Sequence, residues 1–274
     1  STNDLKTNAC CTLDAPPSYI TKALSNVHDQ VQAKYYGCGL TIPTKLEGLD
    51  LLDLGSGSGR DCYIAAQLVG KSGSVTGVDM TKEQLAVANE YIGQHSEKFG
   101  FSNVEFLEGN IEKLDELSLK EKSFDLIVSN CVINLASNKE KVLKDSYDLL
   151  KTGGEMYFSD VYSNRRVPKD LQDDEVLWGE CLSGALYWND FENISKKVGF
   201  KDPRVVEVKE ITVQNKDLEK KIGDIKFYSI TYRLFKTCCL EDSKENYGQA
   251  VVYLGDIEES KAVSYTHLRA HETD

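Results

Sequence analysis

The sequence predicts an α/β fold around a mostly parallel sheet, and three observations support this class. From Leu49 onward, strand-like apolar runs alternate with helical segments, which is the order of successive βαβ units. Runs such as FDLIV are largely apolar, as strands buried on both faces are. The glycine-rich turn GSGSG joins the first run to the first helix, at the edge where parallel sheets bind ligands.

The elements of this sheet follow in order along the chain. Strands are predicted in LDLLDL, SVTGVDM, NVEFLEGN, FDLIVSN and EMYFSDVY. Helices are predicted in DCYIAAQLVG, TKEQLAVANEYIGQHSEKF and NKEKVLKDSYDLLKTGG, and Thr81 with Gln84 forms a capping-box pattern at the start of the second. Upstream, apolar residues at 20, 24, 27 and 31 predict a further helix within SYITKALSNVHDQVQAKYYG.

The pattern changes after Val161. Residues 163–187 predict an irregular, partly helical segment, followed by a helix in WNDFENISKKVGF and two strands in RVVEVKEITV and IKFYSITYRLF. We therefore expect an N-terminal cysteine segment and helix at 1–48, a core at 49–162, and an insertion with closing elements at 163–236. A C-terminal region at 237–274 completes the chain, and its last residues, AVSYTHLRAHETD, are typical of an added or read-through tail.

Composition and charge exclude several classes. The 274-residue chain is 41% hydrophobic and 28% charged, which is typical of a globular protein. Its formal net charge of -12 disfavours nucleic acid as a partner. Its apolar runs fall short of the roughly 18 residues that a membrane span needs. We see no charged-then-apolar leader, so we expect a cytoplasmic protein without a membrane partner.

Eight cysteines are scattered through the chain. The absence of a CxxC pair and the scatter of the four histidines argue against a zinc finger. The size of the chain and the lack of a leader argue against a disulfide scaffold. The thiols are therefore expected in a reducing compartment.

The glycine-rich turn predicts a bound cofactor. Its glycines at 55, 57 and 59 follow G-x-G-x-G rather than the dinucleotide spacing G-x-G-x-x-G, and no P-loop lysine follows them. Asp79 ends the next strand, where its carboxylate can accept hydrogen bonds from both hydroxyls of a ribose. Asp53, just before the turn, suits a ligand with an amino group.

LDLGSGSGRD, VTGVDM, FDLIVSN and the closing elements at 188–236 resemble the class I S-adenosylmethionine-dependent methyltransferases. The resemblance implies a Rossmann-like fold with a seven-stranded, mostly parallel sheet. It implies S-adenosyl-L-methionine as methyl donor, with no structural metal. The implied cofactor contacts are Asp53, Gly55, Ser56, Gly57, Asp79, Met80, Gln84, Asn110, Ile111 and Asn130.

The residues alone leave the methyl acceptor open. The loop SNCVINL lacks the proline-rich aromatic motif of DNA amino-methylases, which disfavours a DNA base. An organic small molecule remains possible, although most such acceptors need a general base, and no histidine lies near these loops in sequence. Cys38, Cys131 and Cys181 occupy predicted mouth positions, and soft thiolates select soft ions such as trivalent arsenic. A non-catalytic metalloid-binding protein is a further alternative. A single buried cysteine usually serves packing, and we assign Cys62 to the core.

KTNACC, YYGCG, SNCVINL and GECLSGALYW resemble the arsenite methyltransferase family. The resemblance implies that Cys131, Cys181 and Cys38 hold arsenic, and that Cys10 exchanges disulfides with Cys38. It implies that Tyr36 and Gly37 line the cofactor. The implied substrate is arsenite or its glutathione conjugate, the implied reductant is thioredoxin or glutathione, and the implied role is arsenic detoxification. The doublet Cys238-Cys239 lies outside these motifs.

Overall fold

A computed structural model describes residues 16–35, 41–213, 215–238, 240, 250–251 and 268–269. Four predicted site residues lie outside this part of the chain: Cys10, Tyr36, Gly37 and Cys38. The other predicted site residues all lie within it.

The fold is built on one twisted sheet with the strand order β3-β2-β1-β4-β5-β8-β7. Neighbours from β3 to β5 pair in parallel, whereas β8 pairs antiparallel with both β5 and β7. This confirms the seven-stranded, mostly parallel sheet, with one addition, because the short β6 also pairs with β5. The strands are β1 Asp50–Leu54, β2 Ser74–Asp79, β3 Val104–Glu108, β4 Phe124–Asn130, β5 Leu150–Ser163, β6 Leu186–Tyr187, β7 Arg204–Ile211 and β8 Phe227–Phe235, with a separate pair β9 Ala250–Val251 and β10 Leu268–Arg269.

Helices cover both faces of the sheet, and apolar side chains fill the two layers. One layer is centred on residues such as Leu52, Ile127 and Phe158, and the other on residues such as Leu51, Leu126 and Ile64. The described helices are α1 Ser18–Leu24, α2 Asp29–Ala33, α3 Arg60–Val69, α4 Lys82–Glu90, α5 Ile92–Phe99, α6 Lys139–Leu149, α7 Lys169–Gln172, α8 Glu175–Gly179, α9 Trp188–Val198 and α10 Lys216–Ile222. Within the residues that the structure describes, no helix is both long and apolar enough to cross a bilayer.

Two predicted helices are each divided into two. The N-terminal helix breaks between α1 and α2, where the backbone N–H of His28 donates to Nε2 of His95 at 3.1 Å. The helix after β2 breaks at Tyr91 into α4 and α5. The predicted capping box at Thr81 is wrong, because the Thr81 side chain makes no capping hydrogen bond. Its backbone N–H donates instead to Oδ1 of Asp79 at 2.8 Å, which leaves Gln84 free for another role.

The order of the strands reverses between β1 and β4. From β1 the sheet continues to β2 and β3 on one side, and from β4 it continues to β5 on the other. In parallel α/β sheets, ligands bind at this switch point, outside the carboxyl ends of the strands. The glycine-rich turn follows β1, and the segment SNCVINL spans the last two residues of β4 and the loop after it. The fold therefore brings the two segments that the sequence singles out to one place.

Candidate active site

A cleft opens at this switch point, between the turn after β1, the end of β2 and the loop after β4. Its walls include seven of the predicted cofactor residues, and Asn130 is one of them. The full lining is Lys34, Tyr35, Asp53, Gly55, Ser56, Gly57, Ser58, Asp61, Asp79, Thr81, Gln84, Asn130 and Val132.

Gly55 lets the turn after β1 approach the loop after β4. The N–H groups of Gly55 and Ser56 donate to the Val78 carbonyl at 2.8 and 3.0 Å, which ties the turn to β2. Gly55 has φ +80°, and a Cβ there would lie 2.3 Å from Cγ2 of Val132. Only glycine fits this conformation and this approach. The turn therefore contacts the residue that directly follows Cys131.

Asp79 organises the same turn through both carboxylate oxygens. The N–H of Gly57 donates to Oδ2 at 2.9 Å, and the N–H of Thr81 donates to Oδ1 at 2.8 Å. Each carboxylate oxygen has a second lone pair. Asp79 can therefore hold the loop and still accept further hydrogen bonds, and its contact with ribose hydroxyls stays a prediction.

The cleft carries more acidic than basic charge. Asp53 is 5% exposed, and burial, followed by the charge of Asp61, raises the pKa of its carboxyl to about 7. Arg60 pairs with Asp61 at 2.7 Å, and its guanidinium carbon lies 3.0 Å from the centre of the Tyr35 ring. A cationic ligand placed among Asp53, Asp61 and Asp79 would be stabilised.

Two buried polar atoms in the cleft have no hydrogen-bond partner among the described residues. They are Oγ of Ser56 and Oε1 of Gln84. A buried polar group without a partner costs about 1–3 kcal/mol, so such atoms mark places where a ligand completes the hydrogen bonding. S-adenosylmethionine offers hydroxyl and amino donors and a positive sulfonium. The polar atoms and the acidic charge of the cleft fit it.

The loop after β4 links the cleft to Cys131. Asn130 and Val132 line the cleft on either side of Cys131 in sequence. The side-chain amide of Asn130 donates to the Tyr35 hydroxyl at 2.8 Å. Burial raises the pKa of Tyr35, so its hydroxyl stays protonated.

Cys131 and Cys181 share an uncommon backbone conformation. In the part of the chain that the structure describes, the non-glycine residues with positive φ are Lys45, Lys122, Cys131 and Cys181. The two cysteines have φ 56° and 60°. A side chain in the left-handed region costs about 1–2 kcal/mol, and such residues concentrate at functional sites.

The two cysteines also share one apolar cluster. Cys131 is 3% exposed and Cys181 is 5% exposed, and both pack with residues such as Val161, Leu177 and Phe227. Cys131 is disulfide-bonded, whereas Cys181 is not part of a disulfide. The cluster brings together two cysteines that lie in separate segments of the sequence.

Cys62 lies in the core, as its assignment to packing predicts, and it also contacts the cofactor side. It is fully buried, and its Sγ–H donates to Oδ2 of Asp53 at 3.2 Å. Burial and the neighbouring Asp53 charge raise the pKa of this thiol well above its usual value. Cys62 is therefore a neutral hydrogen-bond donor rather than a nucleophile.

Three predicted cofactor residues flank the cleft rather than line it. Met80 directly follows Asp79 and is 68% exposed. Gly109 donates its N–H to the Asp79 carbonyl at 2.9 Å, which places Asn110 and Ile111 beside that acid. The Asn110 side chain accepts from Glu112 N–H, and Ile111 is buried.

Sequence reasoning missed several lining residues, of which Asp61 and Val132 matter most. Asp61 lies in the first turn of α3, immediately after the glycine-rich turn, where a carboxylate is stabilised by the helix N-terminus. From that position alone, Asp61 could have been predicted as a cleft residue. Val132 had none, because its role depends on contact with Gly55, which lies far away in sequence.

Comparison with known proteins agrees with the fold and the cleft. The family described as "Methyltransferase domain" matches residues 45–199. The class I fold, the acidic cleft at the switch point and this match define an S-adenosylmethionine-dependent methyltransferase.

Relatives with higher sequence identity identify the family to which the chain belongs within this class of methyltransferases. The arsenite methyltransferase of Aquipseudomonas alcaligenes is 58% identical over 94% of this chain and 74% of that protein. The arsenite methyltransferase of Homo sapiens is 55% identical over 85% of this chain and 63% of that protein. The crystal structure of an arsenic(III) S-adenosylmethionine methyltransferase from Chlamydomonas reinhardtii is 51% identical, with a TM-score of 0.84 over 90% of this chain and 83% of that one. The chain belongs to the arsenite methyltransferase family.

Proposed function

We propose that this protein transfers methyl groups from S-adenosylmethionine to trivalent arsenic held by cysteine thiolates, and so detoxifies arsenite and methylarsenite. One observation carries the proposal. Cys131 lies between two residues that line the cofactor cleft, and it shares a buried cluster with Cys181.

The cofactor would lie in the cleft described above, and it supplies an activated methyl group. Asp79 would hold the ribose, Asp53 and Asp61 would face the positive end, and Ser56 and Gln84 would use their unpartnered oxygens. Met80, Asn110 and Ile111 would flank the adenine. Tyr36 and Gly37 remain proposed contacts by family resemblance.

The arsenic would be bound in the 163–187 insertion and the loop after β4. Thiolates of Cys131 and Cys181, with Cys38 as the third, would replace glutathione sulfur on arsenic by ligand exchange, releasing one glutathione for each As–S bond formed. Cys38 follows Tyr35 by three residues, and Tyr35 accepts a hydrogen bond from Asn130. The arsenic lone pair is the nucleophile, so no general base is needed, and the protein contributes positioning.

Thiol oxidation would complete the cycle. Methylation raises arsenic from the trivalent to the pentavalent state, and two electrons must return to it. Two thiols supply them by forming one disulfide, which we assign to Cys10 and Cys38 by family resemblance. Thioredoxin or glutathione in the cytoplasm would reduce it. Cys131 is disulfide-bonded in this structure, so it must be reduced before it can bind arsenic.

The test is transfer of labelled methyl from S-adenosylmethionine to arsenite, with glutathione present. We expect wild type to form methylarsenicals, and Cys131→Ser and Cys181→Ser to lose transfer while retaining cofactor binding. Cys238→Ser is the matched control, because that cysteine is exposed and lies outside the proposed site. Retained turnover in either site variant contradicts the ligand assignment. Cofactor binding without transfer to arsenite in wild type would favour an organic acceptor, and arsenite binding without cofactor binding would favour a metalloid-binding protein.

A further inference from the structure

The loops that carry Cys131 and Cys181 approach each other closely at Gly184 and Asn134. Gly184 lies three residues after Cys181, and Asn134 lies three residues after Cys131. A Cβ on Gly184 would lie 2.2 Å from the carbonyl oxygen of Asn134. Any residue other than glycine would push the two loops apart.

Asn134 is fixed on its side of the contact. Its N–H donates to Oδ2 of Asp160 at 3.0 Å, and its side-chain amide donates to the Val161 carbonyl. The Asp160 carboxylate also accepts from the N–H groups of Ile133 and Val161. Asp160 is 1% exposed and belongs to β5, so the loop after Cys131 is fastened to the sheet.

Gly184 is fixed on the other side. The N–H groups of Leu182 and Ser183 donate to the Leu177 carbonyl at 2.8 and 3.2 Å, which ties the loop to α8. Directly after Gly184 and Ala185, β6 pairs with the end of β5. Because these contacts anchor both loops, we expect a displacement at Gly184 and Asn134 to move the two cysteines relative to each other.

We infer that Gly184, seated on the Asn134 carbonyl, sets the spacing of the Cys131 and Cys181 sulfurs so that one trivalent arsenic binds both. Gly184, Asn134 and Asp160 are positioning residues. The inference rests on the proposed function. An arsenic held by a first thiol meets the second at a high effective concentration only when the spacing matches.

Phenylarsine oxide is a suitable probe because it needs two thiols. Two As–S bonds form, and the two thiol protons leave with the arsenic-bound oxygen as water. The full chain is used, and every cysteine except Cys62, Cys131 and Cys181 is replaced by serine to remove competing pairs. The replaced residues are Cys10, Cys11, Cys38, Cys238 and Cys239.

In this background, Gly184→Ala is compared with Gly179→Ala. Gly179 lies in the same segment, and a Cβ there would meet nothing within 4 Å. We expect Gly184→Ala to weaken phenylarsine oxide binding by at least about tenfold, and Gly179→Ala to bind like the parent. S-adenosylhomocysteine affinity and the iodoacetamide alkylation of each thiol should stay within about twofold of the parent, since neither depends on spacing.

Equal phenylarsine oxide affinity in the parent and Gly184→Ala would overturn the spacing role and leave the proposed function standing. A parent protein that binds S-adenosylhomocysteine but not phenylarsine oxide would overturn the thiol assignment itself, and this inference with it. If Gly184→Ala does not fold, Asp160→Asn tests the inference instead. This substitution weakens the hydrogen bonds that hold Asn134 without adding volume. We then expect a loss of at least about threefold, and an unchanged affinity overturns the inference.

Discussion

The cofactor cleft and the thiol region, which is formed by Cys131, Cys181 and the loops that carry them, lie side by side but are built in opposite ways. The cleft follows from local sequence, since one glycine-rich turn and the acid ending the next strand are joined by backbone hydrogen bonds to Asp79. The thiol region depends on two loops distant in sequence and on two cysteines held in left-handed conformations. A local motif can therefore reveal a cofactor site, whereas the substrate site depends on tertiary contacts.

The contact between Gly55 and Val132 is where the two regions can be damaged together. Gly55→Ala places a side chain on a left-handed backbone, which costs about 1–2 kcal/mol. The overlap with Val132 costs about 1–3 kcal/mol more. We expect cofactor binding to weaken by about 100-fold, with a loss of arsenic affinity as the Cys131 loop shifts. Calorimetric titration with S-adenosylhomocysteine and with arsenite measures both.

Gly57→Ala is the control for this variant. Gly57 has φ +54°, but a Cβ there meets nothing within 4 Å. Its effect should be limited to the conformational cost and leave arsenite affinity intact. Equal damage from both substitutions would mean that the contact with Val132 does not couple the regions.

The pH dependence of cofactor affinity tests the charge of the cofactor cleft separately from the thiol region. The pKa of Asp53 is raised to about 7, and a cationic cofactor favours the ionised carboxylate. Cofactor affinity should therefore rise with pH and gain about tenfold between pH 6 and pH 8. Asp53→Asn should bind more weakly and show a flat profile. An affinity that falls as pH rises would exclude Asp53 as a group facing the positive charge.

Cys62→Ala distinguishes a core cysteine from the paired thiols. It removes the hydrogen bond that favours ionised Asp53, so we expect about a threefold loss of cofactor affinity near pH 7. The small cavity should lower the free energy of unfolding by about 1 kcal/mol. Arsenite affinity should be unchanged, and a loss would assign Cys62 to the metalloid site.

Much of the fold could be predicted because its strands are largely apolar and its turns carry glycine. The errors lie where tertiary contacts override local pattern. Thr81 matches a capping box, but its backbone is held by Asp79 instead. The N-terminal helix breaks where His28 meets His95. The contact between Gly184 and Asn134 joins residues that no local pattern relates.

The most direct test of the account is the coordination of arsenic in the reduced, arsenite-loaded protein with S-adenosylhomocysteine, measured by X-ray absorption at the arsenic edge. We predict a shell of three sulfurs in wild type and of two sulfurs in Cys181→Ser. A shell dominated by oxygen in wild type, or a shell unchanged by the substitution, would contradict the assignment of arsenic to the paired thiols beside the cofactor cleft.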